Sequence, residues 1–182
     1  MIRVREVARG GLDALAALND AHAAEVNALG GRAGLAAAVE GAFAARVAAL
    51  DGPASGPASG SASGPASGPA GFLVAYDGRG ACRGPNHAWF RARLRDGPGF
   101  AYLDRVVVAP ASRGRGVARA LHADLAARAR SAGLGWVACE VNLDPPNPAS
   151  LALHEGALGF RAVGEGRDPR GGKVVRYLLR AV

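Results

Sequence analysis

A β-branched run that stops at a proline and gives way to a glycine-spaced basic loop constrains this chain more than any other feature. It lies in Asp104-Arg-Val-Val-Val-Ala-Pro-Ala-Ser-Arg-Gly-Arg-Gly-Val-Ala-Arg119. Val106, Val107 and Val108 suit a pleated, buried surface and predict a strand over residues 102–109. Pro110 has no N–H and ends the ladder. From Gly114 onward, Val117, Leu121 and Leu125 recur at helical spacing beside Ala118 and Ala129, which predicts a helix to Ser131 stopped at Gly133. The first N–H groups of such a helix lack intrahelical acceptors, and its dipole favours an anion there by roughly 0.3–1 kcal/mol. Gly114 and Gly116 let the backbone come close to a pyrophosphate, and Arg113 and Arg115 can add charge-assisted bonds. A plain strand–turn–helix connection with a basic surface accounts for the same residues. The loop is neither a Walker A sequence, lacking Gly-Lys-Ser/Thr, nor a dinucleotide fingerprint, lacking the third glycine.

The other 166 positions are read against a chain of 182 residues, 49% hydrophobic, which suffices for one packed core. Residues 52–71 contain only Gly, Pro, Ala and Ser, a composition that cannot bury enough apolar surface to offset its ordering entropy. They are expected to form a disordered insertion at a hairpin tip, within a single domain over 1–182, between strands at 44–50 and 72–76. Asp51-Gly52 is a turn pair. Upstream, a strand is expected near 2–7. A helix follows with Leu12, Leu15, Leu18, His22, Val26 and Leu29 on one stripe, ended by Gly30-Gly31. A second helix carries Leu35, Val39, Ala42 and Phe43. Downstream come a short helix over 86–95, a strand over 136–141, a helix from Pro148 capped by Asn147, and strands over 160–164 and 174–179.

No transmembrane run or signal-peptide core is visible, so a cytoplasmic location is expected, with no membrane partner. Cys82 and Cys139 are too few for a disulfide scaffold, and no His/Cys cluster has metal-ligand spacing. The net charge of +7 comes from arginines scattered from Arg3 to Arg180, with Lys173 the only lysine. That pattern reads as compositional bias, and nucleic acid is not the expected partner.

Two motifs in order make the chain resemble the GNAT superfamily of N-acetyltransferases. The first is Val106–Pro110 with Arg113-Gly-Arg-Gly-Val-Ala118. The second is Asn142, then Asn147, Ser150 and His154, closing with Gly159-Phe160. Asn86-x-x-Trp89-Phe90 and Asp144-Pro-Pro-Asn-Pro-Ala-Ser150 resemble a bacterial branch of it. The resemblance implies an α/β (α+β) fold: a mixed, mostly antiparallel sheet of six to seven strands flanked by about four helices. The sheet would splay open between the strands at 102–109 and 136–141. It implies acetyl-CoA as cosubstrate and no metal. The pyrophosphate would sit on Arg113, Gly114, Arg115, Gly116, Val117 and Ala118. The pantetheine arm would bond the backbone of Val106, Val107 and Val108, with Asn142 and Asn147 as side-chain candidates. The acceptor would be a small-molecule or peptide amine, and a homodimer is open.

For the chemistry, a leaving thiolate gains from a nearby acid. The family usually places a tyrosine for this on the last cofactor helix. Counting from Asn147 puts the role on His154; counting back from Gly159-Phe160 puts it on Glu155, with one extra residue, such as a bulge near Gly156, between. His154 is equally readable as a hydrogen-bonded helix-face histidine. Asp104 and Glu140, on the two strands flanking the splay, are candidate bases or else solvated residues and arginine partners. His22 in its apolar stripe reads more readily as a buried, satisfied histidine than as part of an acceptor cleft shared with Asn19. Trp89 and Phe90 either line an acceptor pocket or pack on the sheet. The missing tyrosine leaves a second reading, a catalytically silent acyl-CoA-binding module.

Overall fold

Apolar residues alternate or cluster in seven segments, and all seven join one sheet. In the computed structural model, which describes residues 1–50, 68–168 and 172–182, the strands are β1 (Ile2–Glu6), β2 (Ala44–Leu50), β3 (Gly71–Asp77), β4 (Phe100–Val108), β5 (Trp136–Asp144), β6 (Arg161–Arg167) and β7 (Val174–Ala181). Their order is β1-β2-β3-β4-β5-β7-β6. Every neighbouring pair is antiparallel except β4–β5, which is parallel. The mixed, mostly antiparallel sheet is the one expected. Asp51 and most of the Pro/Ala/Ser/Gly insertion lie outside the described residues; on either side of it β2 and β3 pair from Ala44↔Ala75 to Ala48↔Gly71.

The helices are α1 (Leu12–Asp20), α2 (Ala23–Val26), α3 (Gly31–Glu40), α4 (Pro85–Leu94), α5 (Val117–Ser131) and α6 (Pro148–Leu151). One face of the sheet is covered by α5, whose Leu121, Leu125 and Ala129 pack on Leu73, Leu103 and Leu178. The other is covered by α1, α3 and α4, whose Leu12, Leu15, Leu35 and Phe90 pack on Phe72, Val74 and Tyr102. Burial on this scale supplies most of the stabilisation, about 25 cal/mol for each Å² of apolar surface removed from water.

The stripe from Leu12 to Leu29 does not form one helix. It breaks after Asp20, turns through α2, and reaches Asn27 at φ 66°, a left-handed conformation that costs a non-glycine residue energy. Tertiary bonds impose the break. The Asn27 carbonyl accepts from Arg105 Nη1 (3.2 Å) and Asn19 Nδ2 (3.4 Å), and Arg105 Nη1 also donates to Asn19 Oδ1 (2.8 Å).

Candidate active-site cleft

β4 and β5 pair only at Phe100↔Trp136, Ala101↔Val137 and Tyr102↔Ala138. Beyond Tyr102 and Ala138 the two strands part, and a cleft of about 560 Å³ lies between Leu103–Val108 and Cys139–Asn142. The splay is where the family resemblance implied it, between the strands at 102–109 and 136–141. Val106, Val107 and Val108 still pair with β3, at Leu73, Phe72 and Gly71, so their other edge faces the gap.

The loop after β4 closes one end. Gly114 (φ 72°) and Gly116 (φ 83°) are both left-handed, which is why glycine stands there. The helix begins at Val117, three residues later than the spacing of its apolar residues suggested, with Gly116 as its N-cap. The Ala120 N–H is the first to reach back into the helix, to the Gly116 carbonyl at 3.0 Å, so the amides of Val117, Ala118 and Arg119 precede the ladder. Arg113, Gly114, Gly116, Val117 and Ala118 all line the cleft; Arg115 is exposed and does not. A Cβ built on Gly114 would meet nothing within 4 Å, so the turn is open toward its surroundings and is not filled by the protein's own side chains. Helix-start amides ahead of the ladder, an open turn at Gly114 and an arginine fit a diphosphate.

Asn142 and Asn147 line the cleft as well. Asn147 caps α6, its Oδ1 accepting from the Ser150 N–H at 3.1 Å, and Asn142 Nδ2 donates to the Glu25 carbonyl at 3.2 Å. Past α6 the chain winds into a π-helical turn, Ala152–Ala157, in which the Leu158 N–H reaches the Leu153 carbonyl. This wider turn absorbs the one extra residue behind the two ways of counting. It keeps His154 on the cleft, whereas Glu155 lies outside the lining and accepts from Arg176 Nη1 at 3.5 Å.

His154 is buried, and its Nδ1 lies 2.8 Å from the Ser150 carbonyl. A carbonyl only accepts, so Nδ1 carries the proton. Burial lowers the pKa of the ring below the ordinary histidine value, so imidazole rather than imidazolium is present at pH 7. Nε2 is then a lone pair, with no partner among the described residues. His122 of α5 meets this ring edge to face at 4.9 Å, and burial, then His154 and Arg180, depress its pKa to about 3.

The carboxylates sit at the other end. Glu140 accepts the Tyr102 hydroxyl at 2.9 Å on each oxygen and Asn86 Nδ2 at 2.8 Å. Its pKa rises to about 7: burial is the main cause and Asp104 adds to it, while the Asn86 and Tyr102 bonds oppose the rise. Asp104 is the extra residue of a β-bulge, since Val74 faces Arg105 and Ala75 faces Leu103; it accepts from Arg105 Nε at 2.8 Å. Both carboxylates line the cleft, as does buried Asp168, which accepts from Asn86 Nδ2 at 3.5 Å.

His22 is not a satisfied core histidine. Its side chain is 10% exposed and lines the cleft; Nδ1 lies 3.4 Å from Arg113 Nη2, and Nε2 has no partner among the described residues. Asn19 is buried and holds Arg105, away from the cleft lining. Trp89 stacks on Tyr177 at 3.9 Å and Phe90 is buried; both pack on the sheet. Cys139 is buried in the core, which raises its thiol pKa. Sequence reasoning missed Asn86, Tyr102, Asp168 and Arg119 as cleft or network residues. Only Asn86 carried a signal, as the first residue of the Asn-x-x-Trp-Phe motif. Among the described residues no group of three or more His, Cys, Asp or Glu side chains is placed to hold a metal ion, and no helix is long and apolar enough to cross a membrane.

Residues 63–160 match the profile of the Acetyltransferase (GNAT) family. The chain belongs to this family. Among curated proteins nothing matches. Solved GNAT structures share the fold at low identity. The ribosomal-protein-S18-alanine N-acetyltransferase of Escherichia coli is 16% identical with a TM-score of 0.65, covering 100% of this chain and 94% of its own. The yncA protein of Salmonella typhimurium, solved with its cofactor acetyl-CoA, is 18% identical with a TM-score of 0.65 over 99% and 93%. NAA60 of Arabidopsis thaliana, in complex with a bisubstrate analogue, is 14% identical with a TM-score of 0.72 over 100% and 98%.

Proposed function

We propose that this GNAT protein transfers the acetyl group of acetyl-CoA directly to an amine, carried by a small molecule or a peptide. The observation that carries the reading is the joining, in one cleft, of the glycine turn at Arg113–Ala118 with the half-buried carboxylate of Glu140. The diphosphate rests on the amides of the turn and of Val117 and Ala118, with Arg113 adding charge. The pantetheine arm runs along the free edge of Val106–Val108, as a further strand would, and one N–H of that edge is the donor for the developing oxyanion.

Glu140 is the base. An acceptor amine is ammonium at pH 7 and must lose a proton before it attacks. A carboxylate with a pKa near 7 is matched to that task. Asp104 lends negative charge that draws the ammonium in, and Arg105 holds it in place. His154 is not the acid in this reading, because its ring is neutral with the proton committed to Ser150; its Nε2 lone pair accepts a hydrogen bond from the cofactor arm. Glu155 is committed to Arg176, so the thiolate takes its proton through water.

The test is thiol release from acetyl-CoA across a panel of small primary amines and short peptides, with Glu140→Gln beside the native chain. Turnover that falls by about 10²–10⁴ in the variant supports the assignment. Turnover unaffected by the change, or no turnover with any amine while CoA still binds, overturns it.

A further inference from the structure

We propose that Lys173 is a site of self-acetylation: this chain transfers an acetyl group from acetyl-CoA to its own and only lysine. The inference rests on the acetyl-transfer reading above and adds an acceptor within the molecule.

Twenty-one of the 22 basic side-chain residues are arginines, which cannot serve as acyl acceptors at neutral pH; Lys173 is the exception. It stands where an acceptor would. Lys173 lines the same cleft as the glycine turn and Glu140. It immediately precedes β7, in which Val175 and Tyr177 share a face, and it lines the cleft beside Val175. Val175 pairs with Asn142 and Tyr177 with Glu140 across β5. The β7 face that begins beside Lys173 is therefore the face that leads to the base. The five bonds from Cα to Nζ span about 6 Å. Two residues of strand span about 7 Å. Laid along Val175, the side chain therefore brings Nζ to the level of Asn142, at the mouth of the splay.

At rest the ammonium is held elsewhere. Nζ donates to the Ala24 carbonyl at 2.9 Å and to Asn27 Oδ1 at 2.8 Å. These bonds tie the start of β7 to α2 and to Asn27, the one left-handed non-glycine residue among those described. They form a strap across the cleft, at a residue whose backbone is already strained. Both bonds are at the partly exposed end of a flexible stem, so the strap is a resting state that the lysine can leave.

The step balances. Nζ sheds one proton through water to the Glu140 carboxylate, two residues further along β5, and attacks the thioester carbonyl; the N–C bond forms and the C–S bond breaks. The second proton from nitrogen ends on the departing thiolate. The products are acetyl-lysine and CoA. An acetylated Nζ has a single N–H and no charge, so it cannot hold both Ala24 and Asn27, and the strap is undone.

The experiment is intact-mass measurement and peptide mapping of the full chain incubated with acetyl-CoA alone. One acetyl group is expected, mapped to Lys173. Its rate per molecule should not change on dilution, and excess CoA should suppress it. Lys173→Arg, which keeps the cation, should gain nothing, and neither should Gly116→Glu, which keeps the lysine but blocks the cofactor turn. An unmodified chain, acetylation only at the Met1 amine, or equal labelling of Lys173 in Gly116→Glu would each overturn the proposal. The same preparation assayed with external amines separates the two readings. Turnover there without label on Lys173 removes only self-acetylation; absence of both removes the transfer reading too.

Discussion

Tyr102, paired with Ala138 on the last rung before β4 and β5 part, reaches past that rung to Glu140, two residues further along β5, its phenol donating to both carboxylate oxygens at 2.9 Å. Tyr102 is also the last β4 residue that pairs with β5. The residue that closes the sheet therefore also sets the proton affinity of the carboxylate at the head of the cleft. A hydrogen bond to the charged form favours it, so the phenol lowers a pKa that burial and Asp104 raise to about 7. Tyr102→Phe removes that bond. The acid limb of the kcat/KM profile, with activity lost as pH falls through the Glu140 pKa, is expected to move to higher pH. A limb that stays in place would detach Glu140 from catalysis.

The same carboxylate predicts a stability effect of defined sign. The folded pKa is raised from 4.5 to about 7, so the folded state binds the extra proton between those values. Stability contributed by protonated Glu140 is present at pH 4.5 and below and is lost as pH rises to 7. Glu140→Gln cannot ionise. Its stability relative to the native chain should rise between pH 5 and pH 8, by on the order of 3 kcal/mol. Denaturant unfolding at the two pH values measures it, and a gap independent of pH would contradict the shift.

Gly116 joins the turn to α5 at φ 83°. CoA at about 100 times its Kd should stabilise the native chain by roughly 2.7 kcal/mol. Gly116→Glu places a carboxylate at the helix start in a conformation that L-residues disfavour, and should abolish that gain. Thermal shift with and without CoA reads the outcome; an undiminished shift would move the cofactor seat elsewhere.

His154 divides the sequence expectation from the structure. As an imidazolium acid it would be worth 10²–10⁴ in kcat. With Nδ1 on the Ser150 carbonyl and burial lowering its pKa, it has one lone pair to offer. Loss of a single ordinary hydrogen bond is worth about 0.5–1.5 kcal/mol. His154→Ala should therefore lower kcat/KM for acetyl-CoA by about tenfold or less and leave the alkaline limb where it was. A larger fall in kcat with a shifted alkaline limb would restore the acid role.

What the chain discloses by itself follows from the range of the interactions. The valine run, the glycine turn and the α5 stripe are local patterns, and each predicted its element within a few residues. The splay was expected only through the family resemblance that two motifs in order carried; no local pattern predicts it. The break at Asn27 was not, because the stripe through His22 and Val26 continues at helical spacing and the bonds that stop it come from Arg105, 78 residues away. The setting of Glu140 was equally hidden. Its partners lie on α4 and β4, 54 and 38 residues distant, and only the folded sheet brings Asn86 and Tyr102 to it.

The clamp between Arg46 and Asp124 shows the same long-range dependence in stability. Arg46, on β2, is buried beneath α5 and donates to Asp124 through Nε (2.8 Å) and Nη2 (3.2 Å), while Arg128 Nε adds a third bond at 3.0 Å. The Arg46 side chain is 8% exposed and that of Asp124 22%. An arginine cannot shed its charge, so removing its partner leaves a buried cation with neither water nor carboxylate. Asp124→Ala should destabilise the fold by about 3–5 kcal/mol, the range for breaking a buried pair. Replacing both partners, as Arg46→Met with Asp124→Leu, removes the stranded charge and should recover most of that loss. Arg128 is half-exposed and keeps its hydration in either case. Unfolding in denaturant distinguishes the outcomes. If the single variant costs no more than the double, the clamp behaves as a surface pair and contributes under about 1 kcal/mol.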